Sequence, residues 1–195
     1  MRILLHICCG PCAVFPLQRL RAEGHEVHGL FYNPNIHPYQ EFCRRIDALK
    51  GLSRQTGLTV AIDEEYGLRD YLRRVVFQEE SRCRSCYDMR LERLASEAKK
   101  NDYDAFTSTL LYSKYQQHAV ICERSEWWAQ QYQVGFYYED FRAGWQAGID
   151  EAIERQLYRQ PYCGCIYSEQ ERYDKSLRKK KQKGLDTVQE DFQRE

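Results

Sequence analysis

The chain has 195 residues, 43% of them apolar, enough for one α/β domain with its own core. Lysine plus arginine and aspartate plus glutamate balance at 29 each, so net charge singles out no nucleic-acid or membrane partner. The opening apolar run breaks at Cys8-Cys9-Gly10-Pro11, too short for a secretory leader, and no stretch approaches the roughly 20 apolar residues of a membrane span. A cytoplasmic protein with no membrane partner is expected.

Arg2 to Ile7 is a nearly all-apolar run stopped by Gly-Pro, the pattern of a buried parallel strand. Ala13, Leu17 and Leu20 then recur at helical spacing, with Gly24 as the stop. A second strand is expected over 27–32, ended by Asn33-Pro34-Asn35. Phe42, Ile46, Leu49 and Leu52 line one face of a helix closed by Gly57; a strand over 58–62 and a helix over 68–76 follow. Past Cys83 and Cys86, Leu91, Leu94, Ala95 and Ala98 mark a helix over 87–98. Residues 105–111 read as a strand, 114–131 as a helix, 134–138 as a fifth strand and 144–158 as a helix. Such alternation implies α/β architecture: a mainly parallel sheet with right-handed crossovers and helices on both faces. From residue 169 charged residues and glutamine dominate. This divides the chain into an α/β domain over 1–168, carrying the chemistry, and a charged tail or helix over 169–195. The tail's basic run (Arg178, Lys179, Lys180, Lys181, Lys183) reads as a solvated face, with RNA phosphate contact as the alternative.

Nine cysteines is an odd number, and their spacing does not resemble a secreted disulfide framework; in the cytosol, clustered cysteines point to metal or redox chemistry. Cys8-Cys9-Gly10-Pro11-Cys12 joins the first strand to the first helix, at the strand end where open parallel sheets bind ligands. One glycine makes it a poor phosphate loop, whereas three sulfurs suit a soft metal and the helix N-terminus favours thiolates. Cys83-Arg84-Ser85-Cys86 adds a pair that could grip a metal or act as a redox dithiol; with the first loop it supplies the cysteines of an iron–sulfur cluster. Arg82 and Arg84 stand ready to offset that cluster's negative charge. Cys163-Gly164-Cys165 could form a strained, reducible disulfide or ligate a second metal. Cys43 and Cys122 fall on apolar helix faces and read as core. Residues 33–38, Thr107-Ser108-Thr109, Tyr112, Ser113, Gln116 and Asp140-Phe141-Arg142 lie at or just beyond expected strand ends, suited to substrate contact or to capping.

Several of these segments together resemble the epoxyqueuosine reductase QueH family: Leu5-His6-Ile7-Cys8-Cys9-Gly10-Pro11-Cys12, Phe31-Tyr32-Asn33-Pro34-Asn35-Ile36, Cys83-Arg84-Ser85-Cys86-Tyr87, the 106–111 strand with Ser113, Asp140-Phe141-Arg142 and the 158–165 segment. The resemblance runs to about residue 168. It implies a fold related to the adenine-nucleotide α-hydrolase (HUP-like) type. The implied enzyme is a cobalamin-independent oxidoreductase that converts epoxyqueuosine at the wobble position of tRNA to queuosine. It further implies a 4Fe-4S cluster on Cys8, Cys9, Cys83 and Cys86, a redox-active pair in Cys163 and Cys165, and an adjacent iron ion, for which Cys12 is the candidate ligand. The partners expected are tRNA and a separate electron donor.

Removing an epoxide oxygen takes two electrons and two protons. A 4Fe-4S cluster passes electrons singly, so a dithiol or a second iron would serve as the other reservoir, and an iron with an open position could act as a Lewis acid. Asp140 and the tyrosines near the 163–165 pair are candidate proton donors. Two other readings compete. In a zinc-stabilised tRNA-binding module the cysteines would be purely structural, but the adjacent Cys8-Cys9 pair fits that poorly. A nucleotide-activating tRNA thiolation enzyme would need a glycine- and serine-rich loop where this chain has cysteines.

Overall fold

Alternating apolar runs and amphipathic stretches fold, in a computed structural model that describes residues 1–176, into a five-stranded parallel sheet. The strands are β1 (Arg2–His6), β2 (Glu26–Phe31), β3 (Val60–Ile62), β4 (Ala105–Ser108) and β5 (Gly135–Phe136), in the order β3-β2-β1-β4-β5. The helices are α1 (Gly10–Ala22), α2 (Tyr39–Thr56), α3 (Leu68–Val75), α4 (Arg82–Lys100), α5 (His118–Tyr132), α6 (Trp145–Glu154) and α7 (Ile166–Tyr173). One layer packs α1 against α2 and α6; the other packs α4 against α3 and α5. The chain winds outward from β1 through β2 to β3, then returns to lay β4 on the other side of β1. That makes the β1/β4 boundary the switch point, where parallel sheets open a crevice at their carboxyl ends.

The centre of the sheet is buried on both faces: Ile3, Leu4 and Leu5 of β1 and Phe106 of β4 are all at most 4% exposed. The carboxyl ends turn polar. His6 is fully buried and its ring bonds to Ser108 Oγ (3.0 Å) and to the Tyr32 carbonyl (3.3 Å). Gly10 opens α1 because a Cβ there would stand 2.7 Å from the Ala48 carbonyl oxygen; glycine alone lets the first turn of α1 lie against the backbone of α2.

Several elements end earlier than their patterns imply. The strand expected over 105–111 stops at Ser108, whose hydroxyl accepts the Leu110 N–H (3.1 Å) and caps a tight turn over Thr109–Tyr112. The helix expected over 144–158 covers only 145–154, preceded by a turn (Phe141–Gly144) held by Asp140 accepting the Arg142 N–H. The division expected at residue 168 falls inside α7, so helix continues across it. The basic run over 178–183 lies outside the described residues. Among those described, no helix is long and apolar enough to cross a membrane.

Candidate metal centre

The first cysteine loop sits at the switch point. Cys8 follows β1; its N–H donates to Thr109 Oγ1 (3.2 Å) just past β4, and that hydroxyl donates to the Cys8 sulfur (3.4 Å). Cys9 is the N-cap of α1 in extended backbone and Cys12 lies in its first turn. The three sulfurs come within 4.8 Å of one another, Cys8 and Cys9 at 3.8 Å, a spacing one metal centre could bridge. Gln160 straddles two of them, accepting from the Cys9 thiol and donating to the Cys12 sulfur, each at 3.1 Å. Hydrogen bonds from Cys12 and Cys9 hold the Cys8 thiol well below its ordinary pKa, while burial pushes Cys9 up and donation to its neighbours pushes Cys12 up.

Cys83 and Cys86 lie inside the opening turns of α4, three residues apart and hence on one face. They stand outside the tight triad and meet it through Arg90, one turn further along. The Arg90 guanidinium is buried, donates to the Cys86 carbonyl and sulfur (both 3.0 Å), and interacts electrostatically with Cys86, Cys163 and Cys8. No described carboxylate lies within ion-pairing distance of it. A buried cation needs a counter-charge, and among the described residues the sulfurs and the Tyr87 phenol are the groups placed to provide one. Of the two arginines expected to balance charge, Arg84 pairs with Glu123 (2.7 Å), whereas Arg82 pairs with Glu171 (2.7 Å) and also interacts electrostatically with Cys83 and Cys165. Burial raises the Cys83 thiol and takes Cys86 to about 12, shifts that bound metal or an added cation would oppose.

The Cys163-Gly164-Cys165 loop is clamped to the start of α2. Buried Arg45 donates to the carbonyls of Cys163 (2.8 Å) and Tyr162 (2.9 Å) and to Glu41 (2.7 Å), whose other oxygen accepts from the Tyr158 hydroxyl. Tyr162 donates to the His37 carbonyl (2.6 Å), and the Gly164 carbonyl accepts the His37 N–H (2.8 Å). Gly164 has φ +149°, and a Cβ there would meet Arg45, Asn35 and Ile36 at 3.2–3.3 Å. Cys163 and Cys165 are free thiols with different surroundings. Cys163 is exposed to a cavity and takes a hydrogen bond from Gln116 Nε2 (3.1 Å). Cys165 is buried with Tyr71, Val75, Cys86 and Met89.

That cavity, about 660 Å³, has Cys8, Cys12, Arg90 and Cys163 among its walls and Tyr112, Tyr115, Trp145 and Arg159 toward its aromatic side. Of the strand-end residues named from sequence, Thr109, Tyr112, Ser113 and Gln116 line it, whereas residues 33–38, Thr107, Ser108, Phe141 and Arg142 do not. Asp140 does not line it. Both its oxygens are engaged by the Arg142 side chain (2.7 and 2.6 Å), which holds the carboxyl near 2, so it has no proton to give near neutrality. Cys43 is only half-buried on α2, and Cys122, also half-buried at the edge of the core, lies 3.6 Å from His118 Nδ1 rather than inside the core. Arg90 and Gln160 were not singled out from sequence. Arg90 had a signal: a cation within the apolar stripe that carries Leu91, Leu94 and Ala98. Gln160 had none, because its value arises from a loop returning over 148 residues.

Residues 3–171 match the family model described as epoxyqueuosine reductase QueH. A curated QueH from Dehalococcoides mccartyi is 36% identical over 89% of this chain and 96% of its own length. The Thermotoga maritima QueH is 30% identical over 93% and 97%, and that of Haemophilus influenzae 33% over 86% and 71%. Among solved structures, a predicted subunit of a tRNA methyltransferase from Methanocaldococcus jannaschii aligns with TM-score 0.53 at 12% identity, covering 79% of this chain and 76% of that one, a likeness of fold.

Proposed function

The chain belongs to the epoxyqueuosine reductase QueH family, and from that membership we propose that it removes the epoxide oxygen of epoxyqueuosine in tRNA to leave queuosine. The observation that carries the metal-centre part of this reading is Arg90, a buried guanidinium to which the described residues offer sulfur but no carboxylate. The donor set is soft throughout, and an anionic, thiolate-ligated group is the occupant that would balance it. Cys8, Cys9, Cys83 and Cys86 would hold a 4Fe-4S cluster, and Cys12 a neighbouring iron. When bound, these would supply electrons one at a time and a Lewis acid.

The chain's own residues supply the rest. The cavity receives the modified nucleoside between the sulfurs and the aromatic side. Cys163 faces that space with Gln116 fixing its sulfur, and Cys165 lies two residues on. Together the two thiols can give two electrons and two protons: the epoxide's two C–O bonds break, the alkene and water form, and a Cys163–Cys165 disulfide results. An external donor then restores the dithiol. Protons come from thiols, with Asp140 left to position Arg142 and the turn before α6.

The reading is tested by incubating the full, anaerobically prepared chain with tRNA containing epoxyqueuosine and a chemical reductant, then analysing the nucleosides. Queuosine should appear, and Cys163→Ser should slow its appearance at least about a hundredfold, as loss of a covalently acting group does. Unchanged epoxyqueuosine with metal-loaded protein, or full turnover by a Cys163→Ser, Cys165→Ser double variant, would contradict it.

A further inference from the structure

Three aromatic rings line the cavity, those of Tyr112, Tyr115 and Trp145, and the Tyr115 ring is left largely uncovered by the described residues. Tyr112 is buried and its hydroxyl donates to the Trp145 carbonyl (2.9 Å), while the rings of Tyr112 and Trp145 lie 5.1 Å apart at 33°. Tyr115 stands edge-on to Trp145 (5.7 Å, 77°), yet 84% of it is exposed. It is presented by a tight turn in which Ser113 Oγ accepts the Tyr115 N–H (3.3 Å) and the Ser113 carbonyl accepts the Gln116 N–H (3.4 Å). Tyr115 is thus held by a framed loop that also places Gln116 on Cys163. Beside it, the Lys114 ammonium lies 5.9 Å from the centre of the Trp145 ring, and Arg159 stands exposed on the same cavity. Neither cation has a described carboxylate within ion-pairing distance.

A solvated tyrosine beside two uncommitted cations suits a ligand that has both flat π-faces and negative charge. Single-stranded nucleic acid has both. The geometry of the reaction supplies the reason for such a surface. A reacting nucleoside that leaves its stack to bring its epoxide to the sulfurs deprives the neighbouring base of a stacking partner. Building on the tRNA-directed reading above, we propose that Tyr115 is the stacking platform for a nucleobase adjacent to the reacting nucleotide, with Lys114 and Arg159 contacting the flanking phosphates. Trp145 braces the platform from behind, and Tyr112 braces Trp145. Stacking of this kind tolerates any base, so Tyr115 would recognise the splayed conformation of the loop rather than its sequence.

The test uses the full chain and an anticodon stem-loop carrying 2-aminopurine next to the wobble nucleotide, placed on each side in turn. With the unaltered chain, fluorescence at one of the two positions should fall on binding, the signature of stacking. Tyr115→Ala should abolish that quench and weaken binding about 5- to 100-fold, whereas Tyr115→Phe should retain the quench and bind within about twofold. Because the side chain is solvent-exposed, these changes leave the fold intact. Lys114→Ala and Arg159→Ala should each reduce the salt dependence of binding by about one phosphate contact. Equal affinity and an equal quench in Tyr115→Ala would overturn the assignment. So would a Phe variant as weak as Ala, since the hydroxyl rather than the ring face would then be responsible. An unaltered chain that binds the stem-loop with no quench at either position would overturn the platform alone. An unaltered chain that binds no stem-loop would remove the tRNA-directed reading and the platform with it.

Discussion

At the scale of single residues, charge decides what the site can hold. Arg90 is buried with sulfur around it, and without an anionic occupant its desolvation is offset, among the described residues, by hydrogen bonds to Cys86 rather than by a carboxylate. Two opposite effects are therefore expected from Arg90→Met. The metal-free chain should be as stable as the unaltered one or more so, because an unpaired buried charge has been removed. The metal-loaded chain should show a lower reduction potential, because reduction adds negative charge and a nearby positive charge has gone. Denaturant titration of the first and potentiometric titration of the second check this; an unchanged potential would mean that Arg90 does not face the cluster. Gly164 makes a simpler case. Its φ of +149° and the contacts at 3.2–3.3 Å that a Cβ would make lead to an expected loss of about 1–3 kcal/mol for Gly164→Ala, measured by the same titration.

At the scale of elements, the 158–165 loop lies where α2 holds it. Arg45 and Glu41 form a buried pair, and their remaining hydrogen bonds go to Cys163, Tyr162 and Tyr158. Arg45→Met strands the Glu41 carboxylate and should cost about 3–5 kcal/mol, with faster proteolysis of the loop as the local readout; a cost below 1 kcal/mol would show that the clamp contributes little. The same contact region is sensitive to acid. His37 is 1% exposed, neither ring nitrogen makes a well-formed hydrogen bond among the described residues, and burial lowers it from 6.5 to about 4 against a smaller opposing influence of the Pro34 backbone. Its folded-state value lies below the unfolded one, so the stabilisation is fully present above pH 6.5 and is lost as pH falls toward 4. The slope between those limits should total roughly 3 kcal/mol from this residue. His37→Leu should flatten that part of the stability–pH curve, and an unchanged curve would contradict the assignment.

At the scale of the whole molecule, the order of strands and helices was legible because each followed from a local pattern: the all-apolar run before Cys8, the helical stripe from Phe42 to Leu52 ended by Gly57, and the stripe from Leu91 to Ala98. Element ends were less legible. Ser108 and Asp140 accept backbone N–H groups two residues on, and such capping outcompetes a continuing apolar pattern. The cysteine motifs could be read as metal-directed because three sulfurs in five residues are hard to account for as packing. Their partners were harder to see. Arg84 adjoins Cys83 in sequence yet pairs with an acid on another segment, and Arg82 divides its charge between Glu171 and Cys83, while Arg90, a turn beyond Cys86, donates directly to a sulfur. Gln160 and Arg45 act only after distant segments meet, which local spacing does not encode.

The central claim is that cysteines from both sides of the switch point, Cys8 and Cys9 after β1 with Cys83 and Cys86 on α4, jointly bind one iron–sulfur group balanced by Arg90. Its most direct test is metal and sulfide analysis, with visible absorption, of the full chain prepared without oxygen, beside Cys9→Ser and Cys86→Ser variants. About four irons and four sulfides per chain are expected, with one further iron where Cys12 is occupied, and both variants should lose the sulfide-linked iron and its absorption. Stoichiometric zinc with no sulfide, or a full cluster retained in the Cys86→Ser variant, would contradict the claim.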